Sequence, residues 1–407
     1  MSNGIQARMP LIKVTPVQIF LDCLLLALNA WDGGIALISQ AQARLSAQRR
    51  WISEKDFGYI VASVVLLPGP HAINTIAVAG YKLAGWRGFF AALSGIVLPG
   101  FLVAVALWFT YDQLSQYPTI LNAITIGVLP TLAMILFRVG FGQARISTKT
   151  RKEQILASIC AITLLLIPFW PGPILILGVS ALIPLAFWTA PVKGAPSAPN
   201  SIRAGRLTLC LLPLLLAIFQ FAPILLPENL IAKIMLIFGS MSLTLFGGGL
   251  VMVPMLNGVI VDHLNWLTPA GYSATLAAGQ MSPGSVLSIA TFTGMQVGGF
   301  VGAIAATVGI YLPTALLAVG VSGLSEQLKG SVYFQQAITG IYCAVVGLLI
   351  GAATAMMIQL PFRDTPVKML VLSLLAYLFV CRLKLRPYFS LPLGVVLAWL
   401  LALLPQY

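Results

Sequence analysis

The sequence predicts an all-α polytopic membrane protein of two homologous helical repeats, about six segments each, joined by a connector helix and broken at Gly/Pro clusters. Three observations predict it: a composition too apolar for a soluble chain, membrane-length apolar stretches that recur along it, and Gly and Pro positions that repeat in register. Of the 407 residues, 59% are hydrophobic and 8% are charged, against roughly 25% charged in an ordinary soluble domain. A water-soluble fold of this length has no polar shell to draw on.

Apolar runs fall near 17–40, 57–80, 88–111, 119–141, 154–170, 172–190, 207–226, 230–257, 272–295, 300–322, 335–358, 367–381 and 388–404. A stretch of about 20 such residues crosses a ~30 Å hydrocarbon core. The N-terminus is polar through Lys13 and leads into a long apolar run without a small-residue cleavage site, so it reads as a retained first helix rather than a signal peptide. The net charge of +13 raises the question of nucleic acid. Its Lys and Arg sit mostly in short loops, as in Arg145, Lys149, Arg151, Lys152 and Arg382, Lys384, Arg386, which is the usual excess of cytoplasmic loops. No nucleic-acid partner is expected. The five cysteines, Cys23, Cys160, Cys210, Cys343 and Cys381, are scattered through apolar runs and read as small buried hydrophobes. No cofactor or metal site is indicated.

The stretch from Pro191 to Arg206 has linker composition and falls mid-chain, which suggests duplication. The repeat is visible. Gly33 and Gly34 align with Gly248 and Gly249, Trp51 with Trp266, and Pro68-Gly69 with Pro283-Gly284, all at an offset of 215. One residue is then lost, and Gly80, Gly85, Gly88, Ala92, Gly95 and Pro99 match Gly294, Gly299, Gly302, Ala306, Gly309 and Pro313 at 214. Greasy sequences share Leu and Val by chance, but not Gly and Pro in register over about 100 residues. The expected domains are a first transmembrane repeat at 17–190, a linker and connector helix at 191–229, and a second repeat at 230–404.

Isolated small residues such as Gly88 to Ala92 and their partners Gly302 to Ala306 read as close helix packing. The clusters ask for more. Asp32-Gly33-Gly34, Pro68-Gly69-Pro70, Gly247-Gly248-Gly249 and Ser282-Pro283-Gly284 each interrupt an apolar stretch, and proline with glycine breaks a helix. The half-helices that restart at His71, Ala72, Ile73 and at Ser285, Val286, Leu287 would present N–H groups and partial positive charge to an anion. Matching broken helices in two repeats mark a secondary-transporter site; the plain alternative is four structural kinks. The candidate substrate-binding set is Asp32, Gly33, Gly34, Pro68, Gly69, Pro70, His71 and Asn74 in the first half. In the second it is Phe246, Gly247, Gly248, Gly249, Gln280, Ser282, Pro283, Gly284 and Ser285. Ser288 offers one more hydroxyl, whereas His263 beside Asp262 reads as surface. Asp22, Asp32, Ser63 and His71 form no recognisable catalytic set, so no enzyme is expected, and a channel would need a continuous polar stripe that these helices lack.

With those motifs in view, the chain resembles chromate ion transporters of the two-domain, long-chain type. The first half carries Arg49-Arg50-Trp51-Ile52 through Leu67-Pro68-Gly69-Pro70, then Gly80-Tyr81, Leu83-Ala84-Gly85 and Leu98-Pro99. The second carries Leu245-Phe246-Gly247-Gly248-Gly249 with Pro254, and Ala278-Gly279-Gln280 with Pro283-Gly284. The resemblance implies a bacterial inner-membrane protein that exports chromate and confers resistance, with sulfate as a related anion; another anion remains the alternative. Where the family has Phe-Gly-Gly-Pro this chain reads Trp31-Asp32-Gly33-Gly34-Ile35, and its second Pro-Gly-Pro is Pro283-Gly284-Ser285. The expected partners are a small inorganic oxyanion and the lipid bilayer; a homodimer is left open.

Two topologies fit the charges equally. If all thirteen stretches cross, the repeats are inverted; this is the expectation, because each stretch is long enough. If 57–80 and 272–295 instead fold back as re-entrant hairpins, the repeats run parallel. Asp32 also has two readings. It caps the following half-helix, or it couples protons to the anion, its charge repelling a dianion that the protonated acid admits. Coupling predicts that Asp32→Asn transports with a flattened pH profile. Capping predicts a parental profile for Asn and a loss of ~1 kcal/mol of stability for Asp32→Ala. Flux measured from pH 5.5 to 8 in parent and Asp32→Asn separates them.

Overall fold

The computed structural model describes residues 14–30, 34–65, 67–167, 172–188, 229–246, 248–322, 332–361 and 365–403. Asp32, Gly33, Gly247 and the connector expected at 207–226 lie outside them.

Each expected break is present, and at each the chain reverses. Helix α1 (Pro16–Asn29) is opened by a capping box between Thr15 and Gln18 and ends at Ala30. Helix α2 (Gly34–Gln42), extended by a π-turn at Ala43–Gln48, returns. Along a straight helix Asp22 and Arg44 would stand about 33 Å apart; instead they touch. The buried Asp22 Oδ1 accepts hydrogen bonds from Arg44 Nε and Arg49 Nη2, both at 3.0 Å, and Arg49 Nε stands 2.8 Å from Oδ2. This ion cluster closes the first hairpin, with both guanidinium groups toward the surface.

The second hairpin follows. Helix α3 (Glu54–Val64) leads to Pro68-Gly69-Pro70, and α4 (His71–Leu114) leaves from it. Helix α4 is itself two arms, because Ala84 and Gly85 leave helical geometry, Gly85 at φ 59°. A Cβ on Gly80 would lie 2.5 Å from Gly88 O and 2.6 Å from Ala92 Cβ, so the short arm (71–83) packs against the start of the long arm (86–114). That is the close packing the small residues suggest. The long arm, about 43 Å at 1.5 Å per residue, crosses the membrane. Helices α5 (Pro118–Ser147), α6 (Arg151–Leu166) and α7 (Gly172–Phe187) complete the repeat.

The second repeat has the same order. Helix α8 (Leu230–Thr244) pairs with a returning strand of turns comprising a 3₁₀ turn at Gly249–Val251, α9 (Met252–Leu256) and a π-turn at Asn257–His263. Helix α10 (Pro269–Met281) pairs with the short arm (288–297) of α11 (Ser288–Val321), whose chain reverses again at Gly298 and Gly299 (φ 61°). Then come α12 (Val332–Ile358), α13 (Pro366–Tyr377) with a π-turn at Leu378–Arg382, and α14 (Pro387–Ala402).

The repeats run antiparallel. Tyr111, near the far end of α4, lies with its ring 5.9 Å from Phe292 and its hydroxyl against Gly271, at the start of α10. Phe101, midway along the α4 long arm, meets Phe300 at the beginning of the α11 long arm. The base of one repeat's hairpins therefore lies on the membrane face opposite the other's. Each repeat also hands its last helices to its partner. Gly127 of α5 packs on the backbone of Gly394 in α14, Gly340 of α12 packs on Ser180 in α7, and Arg138 of α5 donates to Val380 O.

The thirteen-crossing expectation is corrected. The runs 17–40, 57–80, 230–257 and 272–295 do not cross, because a 14-residue arm such as α1 reaches only about 21 Å. The inversion nonetheless holds, so the pairing of hairpins with parallel repeats fails. Hairpins at both breaks of each repeat leave the crossing parity of the repeat unchanged. Charge now discriminates sharply. Arg44, Arg49, Arg50, Lys55, Lys82 and Arg87, the 145–152 loop and the 382–386 loop share one face. Among the described Lys and Arg, only Lys233 and Lys368 fall on the other. The first face is cytoplasmic by the positive-inside rule.

Candidate functional site

Four hairpin tips meet at mid-depth, and lipid imposes a condition there: every broken helix exposes backbone groups that no water can satisfy. The tips satisfy one another across the repeat boundary. Gly69 N–H donates to Leu245 O, the C-cap of α8, at 2.6 Å; Gly284 N–H donates to Ala30 O, the C-cap of α1, at 2.7 Å. Residues 30 and 245, and 69 and 284, are the repeat counterparts, so the two bonds are one bond and its pseudo-symmetric copy. Both glycines hold positive φ, 104° and 88°, which orients these N–H groups across the boundary and which a side chain resists.

Around the first tip Asn74, Thr314 and Ser242 are engaged, whereas Thr75 Oγ1, beside Asn74, is buried without a partner. Asn74, fully buried, donates Nδ2–H to Pro68 O at 3.3 Å. Thr314 Oγ1, from α11, lies 3.5 Å from Asn74 Oδ1 and 3.1 Å from Ser242 Oγ of α8, which in turn donates to Ile310 O at 2.6 Å. The His71 ring is not a free donor: its Nε2 is 3.2 Å from Leu67 O, an acceptor only, so the ring holds its N–H there. The first ladder bond of α4 is Asn74 N–H to Pro70 O, which leaves the N–H groups of His71, Ala72 and Ile73 ahead of the ladder.

The second tip is built differently. Its half-helix restarts at Ser288 rather than Ser285, after a 3₁₀ turn in which Ser288, Ile289 and Ala290 donate to Ser285, Val286 and Leu287. Leu287 N–H is held by Ser285 Oγ, so the expected row of open N–H groups at 285–287 is corrected. The missing second proline contributes: Ser285 Oγ accepts from Leu287 N–H, a side-chain acceptor that Pro70 lacks. Ser282 is spent on Ala278 O at 2.8 Å. Gln280 and Ser288 are the exceptions, with Gln280 Nε2 and Ser288 Oγ buried and unpartnered. Nearby, Phe246 is buried, Gly248 holds φ 131° and Gly249 packs on Leu287. Gly34 opens α2, pointing that helix's N-terminus at the same region.

The structure thus brings Pro68, Gly69, Pro70, His71 and Asn74 together with Leu245 and Phe246, and Ser282, Pro283 and Gly284 against Ala30. Ser242 and Thr314 were missed. Their signal was present in the repeat alignment, where their counterparts are Ala27 and Gly100, but neither adjoins a break in sequence. Asp22 serves the first hairpin and not the tips.

A chromate transporter family model matches residues 17–185 and 232–403, one match per repeat. The chain belongs to the chromate transporter family. Its relatives include a chromate transport protein of Pseudomonas aeruginosa, 28% identical over 94% of this chain and 92% of the relative. A chromate transport protein of Cupriavidus metallidurans is 25% identical over 89% and 87%. An uncharacterized transporter of Methanocaldococcus jannaschii is 24% identical over 95% and 94%. No solved structure matches. For this family member, the two matched regions coincide with the two repeats.

The paired glycines carry a prediction. A Cβ on Gly69 would stand 2.5 Å from Thr314 Cβ, whereas on Gly284 the nearest atom is Ile96 O at 3.5 Å. Gly284→Ala should cost about 1–2 kcal/mol of backbone strain. Gly69→Ala should add about 1–3 kcal/mol of overpacking. Unfolding of the purified variants in detergent checks the order; equal losses in the two variants would mean that the Thr314 contact is unimportant.

Proposed function

We propose that the protein is a secondary carrier that exports a tetrahedral oxyanion, chromate first, with sulfate as a competitor, and that this export confers chromate resistance. The observation that carries the reading is the meeting of hairpin tips from two inverted repeats at mid-membrane. There the α4 N-terminus, with its N–H groups at His71 to Ile73, faces a second tip bearing unpartnered donors. Helix N-termini favour anions, and broken helices at the interface of inverted repeats are the usual place for a transporter site. Membership of the family, and relatives named as chromate transport proteins, select chromate among the oxyanions. Outward direction follows from resistance as the purpose of transport.

Arg50, Lys55, Lys82, Arg87 and the other cations of the cytoplasmic face raise the local concentration of a dianion there. A carrier of a different anion would use the same tips with other neighbours. A channel would conduct without exchange, so counterflow separates it from a carrier.

Everted membrane vesicles containing the protein should accumulate labelled chromate, and excess sulfate should reduce that uptake. Accumulation equal to that of empty vesicles for both anions, across pH 6 to 8, would contradict the proposal.

A further inference from the structure

The two tips are products of one duplicated sequence, and beyond Pro70/Ser285 and Val65/Gln280 they differ in three side chains that surround them. Ser242, Thr314 and Asn74 surround the first tip; their counterparts around the second are Ala27, Gly100 and Ser288. The contacts correspond as well. Gly69 meets Thr314, and Thr314 meets Asn74; on the other side Gly100 lies against Pro283 O and Ser288 Cβ, and Gly284 against Ala27 and Ile96 O. Three polar groups, mutually bonded, thus occupy the first position, and a methyl, a hydrogen and a short hydroxymethyl occupy the second.

Hydrogen bonding divides these three pairs in the same way, although Thr75 Oγ1, beside Asn74, is also buried and unpartnered. Asn74 and Ser242 have definite partners, at 3.3 Å and 2.6 Å, and Thr314 bridges them. Ser288 is 2% exposed, and its Oγ has no partner. Gln280 is 8% exposed, and its Nε2 has none either. Leaving a buried polar group unmatched costs about 1–3 kcal/mol, so two such donors flanking one tip call for an acceptor. They are neighbours in the hairpin, because Gly279, adjacent to Gln280, packs on Ile289, adjacent to Ser288. A hydroxyl and an amide N–H are also the donors that suit an anion without adding a fixed positive charge. Ser288 opens the ten-residue short arm of α11, where the helix dipole adds its positive end.

We propose that duplication has divided the labour of the tips. The first, pinned by Ser242, Thr314 and Asn74, is a fixed anchor, and the second binds the oxyanion directly through Ser288 Oγ–H and Gln280 Nε2–H. This rests on the reading of the protein as an oxyanion carrier and names its side-chain donors. The small residues Ala27 and Gly100 let α1 and α4 approach the second tip closely, with Gly100 against Pro283 O.

Chromate uptake into everted vesicles, with the melting temperature of each purified variant, tests it. Ser288→Ala and Gln280→Leu should each raise the chromate KM about tenfold to a hundredfold, the range for losing a hydrogen bond to a charged group. Ser288→Thr, which keeps the hydroxyl, should restore a KM near the parent's. Thr314→Val should lower the melting temperature and leave KM within about twofold. Parental KM in both Ser288→Ala and Gln280→Leu would overturn the assignment. So would a raised KM in Ser288→Ala that Thr fails to restore, or a Thr314→Val variant of parental stability with the same KM loss. A parent protein that moves neither chromate nor sulfate is a different failure, that of the carrier reading.

Discussion

A helix broken inside a bilayer leaves carbonyl and N–H groups that lipid cannot satisfy, and the architecture of this protein follows from how that need is met. Each repeat contributes two hairpins whose tips stop near mid-depth. Alone, a tip such as Pro68-Gly69-Pro70 has a surplus of one kind of group and its neighbour Ala30 a surplus of the other. The reciprocal bonds from Gly69 to Leu245 and from Gly284 to Ala30 resolve both at once, and they do so only between repeats. A single repeat in this antiparallel arrangement therefore needs its copy. The exchange of the last helices, α6 and α7 onto α12 and α13 and α14 onto α5, enforces the same dependence on a larger scale.

Pseudo-symmetry explains the frame, and departures from it explain the chemistry. The glycines that turn the chain at 85 and 299, the π-turns that end at 48 and 263, and the Gly–Gly contacts between arms are shared by both halves. The ion cluster of Asp22 with Arg44 and Arg49 is not: the equivalent positions are Ile237, Val259 and Leu264. Charge holds the cytoplasmic hairpin where apolar packing holds the other. The polar residues around the two tips diverge likewise, giving an engaged side and a donor-bearing side from one ancestral pattern.

Much of this was legible in the sequence. Glycine and proline in register revealed the duplication and located all four breaks, because backbone geometry leaves those residues few substitutes. The direction of the chain after a break was not legible. A proline-glycine pair interrupts a helix whether the chain bends or reverses, and two short arms in succession have the length and hydropathy of one span. Partners were also hidden. His71 and Ser282 were legible as donors, but their own helices absorb them at Leu67 and Ala278. Thr314 reaches Asn74 across 240 residues, a contact that only the packing of α11 against α4 creates.

Side-selective labelling tests the inverted meeting of the repeats most directly. Gln48 and His263 are exposed counterparts at the bases of the first and second sets of hairpins. With Gln48→Cys and His263→Cys, a membrane-impermeant maleimide should modify the first from the cytoplasmic face and the second from the opposite face. Labelling of both positions from the same face would contradict the antiparallel repeats and the meeting of their tips.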